Sequence, residues 1–427
     1  LYIVEPTLLN APDYAARHWT FTRRCLAALR TELAALGQPL VVRVGEAVPA
    51  FAALCRQFTV AGVWAHEETG NGRTYERDKA VRRFWRERGI PFMEIPHNGV
   101  VRGLKNRDGW EAERSRRLRQ PIVEPPAAIA PVAIQPGRIP DHSQLRLTPD
   151  RGVAAPRGGT AVAVALLESF LQERGHDYVS GMSSPLTAPD ACSRLSPHLA
   201  WGTISTRQIA RRLAQPAAAI PPQAVQAFTS RLAWRDHFTQ KLESEPGIEF
   251  WNMNRAYDGM RENDWSEERF AAFVRSLKAT GWLNFRMRAM LVSFLSWDLW
   301  LHWRQPAVWM APHFLDFEPG IHFAQFQMQA GTAGINTNRM YNPSKQQRDQ
   351  DPDGHFVRRW VPEIAGLETE FLAEPWSTPP LAQRMAGCVI GEHYPHPVVD
   401  HRAAIRAAKE RLSRVKRDPR TRAAAQA

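Results

Sequence analysis

The sequence predicts an α/β domain with a doubly wound parallel sheet over residues 1–120, followed by an all-helical domain over residues 160–413. Three observations carry that prediction. Short β-branched runs alternate with amphipathic helical runs as far as about Asp108, the rhythm of parallel strands joined by crossover helices. Residues 121–159 hold eight prolines and little aromatic content, too little for a core, so they form an extended interdomain linker. Beyond Thr160 the strand signals fade and helical periodicity takes over.

Taken in order, LYIVEP at Leu1 reads as a strand, and Trp19, Leu26, Leu29, Leu33 and Leu36 mark a helix. PLVVRV is a strand, the stretch from Phe51 to Gln57 a helix, TVAGVWA a strand, Tyr75 to Arg88 a helix and PFMEI a strand. Because the chain opens on Leu1 inside a strand, the sheet is expected to be N-terminally incomplete, short of an initial strand and helix. Ligands of open parallel sheets sit beyond the carboxyl ends of the strands, which points to the HEETGNGRTYERD loop. Its His66, Glu67 and Glu68 match no usual metal spacing and read as a solvated loop.

After the linker, AVAVALLESFLQER is an amphipathic helix, and Tyr178 follows a turn. In CSRLSPHLAWGTIS, Ser196 is expected as N-cap and Pro197 as the first helical residue, so the helix start offers free amides to a phosphate. SRLAWRDHFTQKLE, from Ser230 to Glu243, is a further helix. The run GWLNFRMRAMLVSFLSWDLWLHWRQP is apolar nearly all round and reads as one buried helix ended by Pro306. Arg286 and Arg288 near its start need partners, because buried charge is costly unless paired, and Asp316 and Glu318 are the candidates. Residues 414–427 read as a basic, disordered tail.

A net charge of +12 and a pI near 10.0 favour an anionic partner, with nucleic acid the natural one. Fifteen tryptophans serve a core, electron transfer or base stacking. Cys25, Cys55, Cys192 and Cys388 form no C-x-x-C pair, which argues against zinc, an iron-sulfur cluster and a disulfide framework and fits a reducing cytoplasm. No uncharged apolar run reaches membrane-spanning length.

Gly281, Trp282, Arg286, Arg288, Trp303, Arg304, Asp316 and Glu318 occur in one order with Arg339, Asn342, Pro343, Asp351, Pro352, Asp353, Gly354, Arg358, Arg359, Trp360, Pro362 and Glu363. This long ordered pattern resembles the flavin-binding core of the DNA photolyase and cryptochrome family. The resemblance implies an FAD-binding helical domain behind an α/β antenna domain, which in the family can hold a second chromophore, a pterin or a deazaflavin. It implies that Ser193, Arg194, Leu195 and Ser196 hold the diphosphate with Tyr178 nearby, and that Arg235 faces the flavin. Arg288 and Asp316 would pair beside the ring, and Glu318 would bind the ring or ribitol edge. Trp234, Arg286 and Met328 fall on the DNA side. The implied function is light-dependent repair of UV pyrimidine dimers in DNA, by electron transfer from excited reduced flavin to a flipped-out dimer. The alternative is a cryptochrome-like photoreceptor acting through a signalling partner. A monomeric, cytoplasmic protein without metal completes the expectation.

The departures bear on the choice between these readings. Arg231 stands where repair enzymes carry a glutamate that serves the dimer, and His322 where they face flavin N5 with asparagine. Phe326 replaces the flavin-proximal tryptophan of the electron relay and Met328 the lesion-stacking one, while Trp303 keeps the middle place. His322, Trp303, Phe326 and Asn342 are therefore the candidate catalytic residues.

Overall fold

The computed structural model describes residues 1–150, 156–215, 219–261, 274–334, 339–417 and 419. The chain divides into two compact units, Leu1–His176 with Ser193–Glu249 and Val308–His322, and Asp177–Cys192 with Phe250–Ala307 and Phe323–Ala427.

In the first unit, β1 (Tyr2–Val4) pairs in parallel with β2 (Val42–Val44), and β3 (Val63–His66) pairs in parallel with β4 (Phe92–Ile95). The crossovers are the helices α1 (Ala16–Ala35), α2 (Ala47–Cys55) and α3 (Gly72–Glu87). Side chains alternate across a strand, so Val4 packs with Trp19, Leu26 and Val42 while its neighbour Ile3 packs with Phe84, Trp85, Val63 and Phe92. The class is the parallel α/β one expected. Two features differ from the expectation. Among the described residues the strands form two separate pairs, with no ladder between β1 and β3. The sheet is also not covered on both faces, since Trp64 is 62% exposed and Met93 and Ile95 beside it are exposed as well. The third strand starts at Val63 rather than Thr59, after Gly62.

The Pro-rich stretch has few amides of its own to satisfy, and it serves as acceptor for its neighbours. Val42 N donates to Pro136 O at 2.7 Å and Trp19 Nε1 to Pro140 O at 3.1 Å, so an irregular segment lies along β2 and α1. Along the chain follow the helices α4 (Trp110–Arg119), α5 (Thr160–Gln172), α6 (Ser196–Ala200) and α7 (Pro222–Ser244).

The second unit is helical, and here the long apolar helix expected from Leu283 to Trp303 is replaced by shorter pieces. Helix α8 (Phe285–Ser293) runs into a π turn over Phe294–Asp298, and Trp300 then takes a left-handed φ of 55° that stops the helix. Pro306 does not end a helix. It lies in the first turn of α9 (Arg304–Met310), where a missing N–H costs nothing. Helix α10 (Pro319–Ala330) follows, then α11 (Pro343–Gln350) and α12 (His355–Trp360). Helix α13 (His401–Arg417) packs Ala408 and Leu412 against Tyr257 and Trp297, and residues 420–427 of the expected tail lie outside the described residues. No described helix is long and apolar enough to cross a membrane.

Candidate functional site

The sequence-predicted residues fall in both units. Ser193, Arg194, Leu195, Ser196, Arg231, Trp234, Arg235, Asp316, Glu318 and His322 belong to the first, and Tyr178, Arg286, Arg288, Trp303, Phe326, Met328 and Asn342 to the second.

In the first unit, helix α7 presents two different faces. Arg235 is half-buried and makes a fork-to-fork ion pair with Glu318, Nε to Oε1 at 2.9 Å and Nη2 to Oε2 at 2.5 Å. Arg235 Nη2 also donates to Leu199 O at 3.2 Å. Burial raises the Glu318 pKa and Arg235 opposes that rise. Glu318, expected to partner Arg286 or Arg288 and then the flavin edge, thus already has a guanidinium of its own. Trp234, one residue before Arg235, is 45% exposed, and Arg231 one turn back is exposed too.

The Ser193–Ser196 segment makes a tight turn. Arg194 takes a left-handed φ of 61°, costly for a side chain with a Cβ and a frequent mark of a functional loop. Arg174, in the turn after α5, fixes that run, donating to Ser193 O at 3.3 Å, Leu166 O at 2.8 Å and Ser169 Oγ at 2.9 Å. The N-cap of α6 is Leu195, not Ser196, and no side chain caps it, so Ser196 and Pro197 are the first two helical residues. Ser193 Oγ accepts from Leu195 N at 3.4 Å.

The first unit holds several histidines whose pKa burial lowers. His18, 1% exposed, bonds Phe314 O through Nε2 at 2.9 Å, and burial pushes its pKa down to about 4. The bond to Phe314 O, then Asp150 and last Asp316 oppose that fall. His198 is fully buried, its pKa also pushed down to about 4 by burial, with Nδ1 on Thr203 Oγ1 at 2.7 Å. His97 and His237 are shifted the same way. His322 is buried edge-on against Phe314 and Phe317.

These histidines set a pH dependence. A group with a folded pKa near 4 and an ordinary value of 6.5 stays neutral in the native state while the unfolded chain takes up protons. Their stabilisation is complete above pH 6.5 and is lost as pH falls toward 4, each proton adding about 1.4 kcal/mol per pH unit. Urea midpoints should fall steeply between those two values, and His18→Gln should flatten part of the slope. A midpoint independent of pH over that window would contradict this assignment.

In the second unit, Asn284 is the residue that spacing alone did not single out. Its Nδ2 donates to Ser183 O at 2.7 Å and Met182 O at 3.1 Å, while its buried Oδ1 has no partner among the described residues. One turn on, Arg288 Nε donates to Leu283 O at 2.8 Å. Arg286 donates to Gln346 Oε1 at 3.3 Å, so this arginine meets an amide instead of Asp316 or Glu318. Trp303 is buried, donates from Nε1 to Asn252 Oδ1 at 2.7 Å and lies edge-on to Phe323. Gln327 holds the strand of backbone that carries Asn252, accepting from Met253 N at 2.6 Å and donating to Trp251 O at 2.8 Å. Phe326 and Tyr178 are buried, and Met328 is half-buried.

Much of the C-terminal motif is structural. Asn342 is the N-cap of α11, its Oδ1 accepting from Lys345 N at 3.0 Å. Asp351 accepts from Phe356 N at 3.1 Å and Val357 N at 2.9 Å, which fixes the start of α12. Arg358 donates to the carbonyls of Ala365 and Leu367. No group of three His, Cys, Asp or Glu side chains among the described residues is arranged to hold a metal.

Comparison with known proteins places these features. Residues 228–414 match the family model for the FAD binding domain of DNA photolyase, and residues 1–105 match that for DNA photolyase. The chain is 30% identical to "Cryptochrome DASH" of Gloeobacter violaceus, over 89% of this chain and 82% of that one. It is also 30% identical to "Deoxyribodipyrimidine photo-lyase" of Streptomyces griseus, over 94% and 90%. The crystal structure of a bacterial class III photolyase from Agrobacterium tumefaciens superposes with a TM-score of 0.84 at 25% identity, covering 98% of this chain and 92% of that one.

Proposed function

The chain belongs to the DNA photolyase and cryptochrome family and carries its FAD-binding domain, and on that premise we propose that it repairs UV pyrimidine dimers in DNA under blue light. The observation that carries the proposal is the two-faced helix α7, with Arg235 half-buried and ion-paired on one side and the exposed indole of Trp234 on the other. A half-buried charged side suits a cofactor. An exposed aromatic suits an unstacked base, for which stacking is worth about 1–3 kcal/mol.

The residues present fit FAD. The orphaned Oδ1 of Asn284 is a buried acceptor in want of a donor, and the left-handed turn at Arg194 sets the backbone of the Ser193–Ser196 run. We assign Ser193, Arg194, Leu195, Ser196 and Tyr178 to the dinucleotide end, and Arg288, Asp316 and His322 to the ring. The Arg235–Glu318 pair completes the set, acting as a fixed dipole that needs no reorganisation, whereas Arg231, expected among the cofactor residues, is exposed with Trp234 and goes with the DNA-facing side. When bound, FAD supplies blue-light absorption and a one-electron donor. The chain's own work is to hold it, to keep water out with Phe326 and Trp303, and to offer Trp234, Arg286 and Met328 to DNA. The loop beyond β3 and β4 is the proposed place of an antenna chromophore. The expected 1–120 antenna domain, 121–159 linker and 160–413 catalytic domain, and a monomeric cytoplasmic protein, belong to the same reading.

A cryptochrome-like sensor is the second reading. It is favoured by Arg231, by buried Phe326 in place of an indole, and by Asn342, whose side chain is engaged as a helix cap. Reduced protein illuminated with blue light and mixed with DNA carrying cyclobutane or (6-4) lesions should remove one of them, against no loss in the dark. No light-dependent loss with either lesion, with FAD bound, would leave the sensor reading.

A further inference from the structure

The segment between β4 and α4 is fastened to helix α7 at several points. Val101 N donates to Gln240 Oε1 at 2.6 Å, and Gln240 Nε2 returns a bond to Val101 O at 3.0 Å. Arg114 Nε donates to the buried Asp236 Oδ2 at 2.8 Å, and Trp110 Nε1 to Gly99 O at 3.1 Å. Gly99 approaches so closely that a Cβ there would lie 2.6 Å from both Arg114 and Asp236, which only glycine avoids. The segment is therefore pinned on a helix that also presents Trp234.

What the pinning holds in place is Arg107. Its Nη2 donates to His237 Nδ1 at 3.2 Å, and its guanidinium lies 4.8 Å from the centre of the Trp110 ring. Among the described residues these contacts are a ring nitrogen and an indole face, and Glu245 acts on the charge through space without an ion pair, so the guanidinium is oriented and only partly offset. His237 accepts at Nδ1 and is thus the neutral tautomer with its proton on Nε2. Burial, Arg107 and Lys241 push its pKa down to about 4, with Glu111 opposing. Trp234 lies 5.4 Å from His237, edge to face. Arg231, Trp234, His237 and Lys241 recur on one face of α7, spanning about 15 Å at 1.5 Å per residue. That is the rise of about four nucleotides at 3.4 Å each.

We propose that Arg107, held by His237 and Trp110 and flanked by Lys241, is a phosphate-binding residue for a DNA strand that runs along this face of α7, with an unstacked base on Trp234. The inference rests on the DNA-repair reading and adds to it a contact from the α/β part of the chain. A pre-oriented guanidinium loses little freedom on binding and suits a phosphate oxygen. The exposed indole within the basic stripe favours a nucleic acid over an acidic peptide, because it offers a surface for a base.

The test is fluorescence anisotropy with a short fluorescein-labelled single-stranded oligonucleotide over a series of salt concentrations. Arg107→Ala should weaken binding about 5- to 20-fold and reduce the slope of log affinity against log salt by about 0.7, the loss of one single-strand phosphate contact. Arg107→Lys should keep the slope while binding more weakly than wild type. Unchanged FAD content and urea midpoint in both variants verify the fold. If Arg107→Ala binds with wild-type affinity and slope while Trp234→Ala binds weakly, the Arg107 assignment is wrong and the DNA reading stands. If Arg107→Lys loses the slope as fully as Arg107→Ala, charge is not what Arg107 supplies and the assignment also falls. A wild-type protein that binds no oligonucleotide overturns both.

Discussion

Asp316→Ala protein is expected to purify without the yellow colour and absorbance of bound FAD. Asp316 is only 9% exposed, follows the buried Phe314 and Leu315 and lies three residues before the first residue of helix α10. Removing one member of a buried charge pair costs about 2–5 kcal/mol of binding, or roughly 30- to several-thousand-fold in Kd. A cofactor retained through purification in the wild type would then be lost. Released flavin measured per mole of protein decides the matter, and stoichiometric FAD in the variant would place the ring elsewhere.

Arg235→Ala should be the most destabilising single change in the first unit. It leaves the Glu318 carboxylate buried without its guanidinium, a situation that costs about 3–5 kcal/mol. The pair itself adds little net stability, because both ions surrender their hydration. Joint replacement by Arg235→Met and Glu318→Leu should therefore recover most of the urea midpoint, though not flavin binding. A loss below about 1 kcal/mol in Arg235→Ala would mean that water reaches Glu318 freely.

Particular elements explain what could be read in advance. The strands and α1 were legible because β-branched runs and a 3.6-residue apolar period are local signals. The break after Ser293 was hidden. In a helix apolar all round, a π turn changes the phase of residues that are buried on every side, and nothing in the spacing marks the left-handed Trp300. Arg235 and Glu318 lie 83 positions apart, and Arg114 and Asp236 122, so no periodicity joins them. The role of Asn342 was readable after all, since Asn before Pro is the signature of an N-cap followed by a first-turn proline. Asn284 gave no such sign, because its partners are carbonyls more than a hundred residues earlier.

The most direct measurement is a crystal structure of the flavin-loaded protein. Electron density for one FAD should touch the Ser193–Ser196 turn with its diphosphate and Arg288 with its ring. Flavin bound away from either would contradict the assignment of this site.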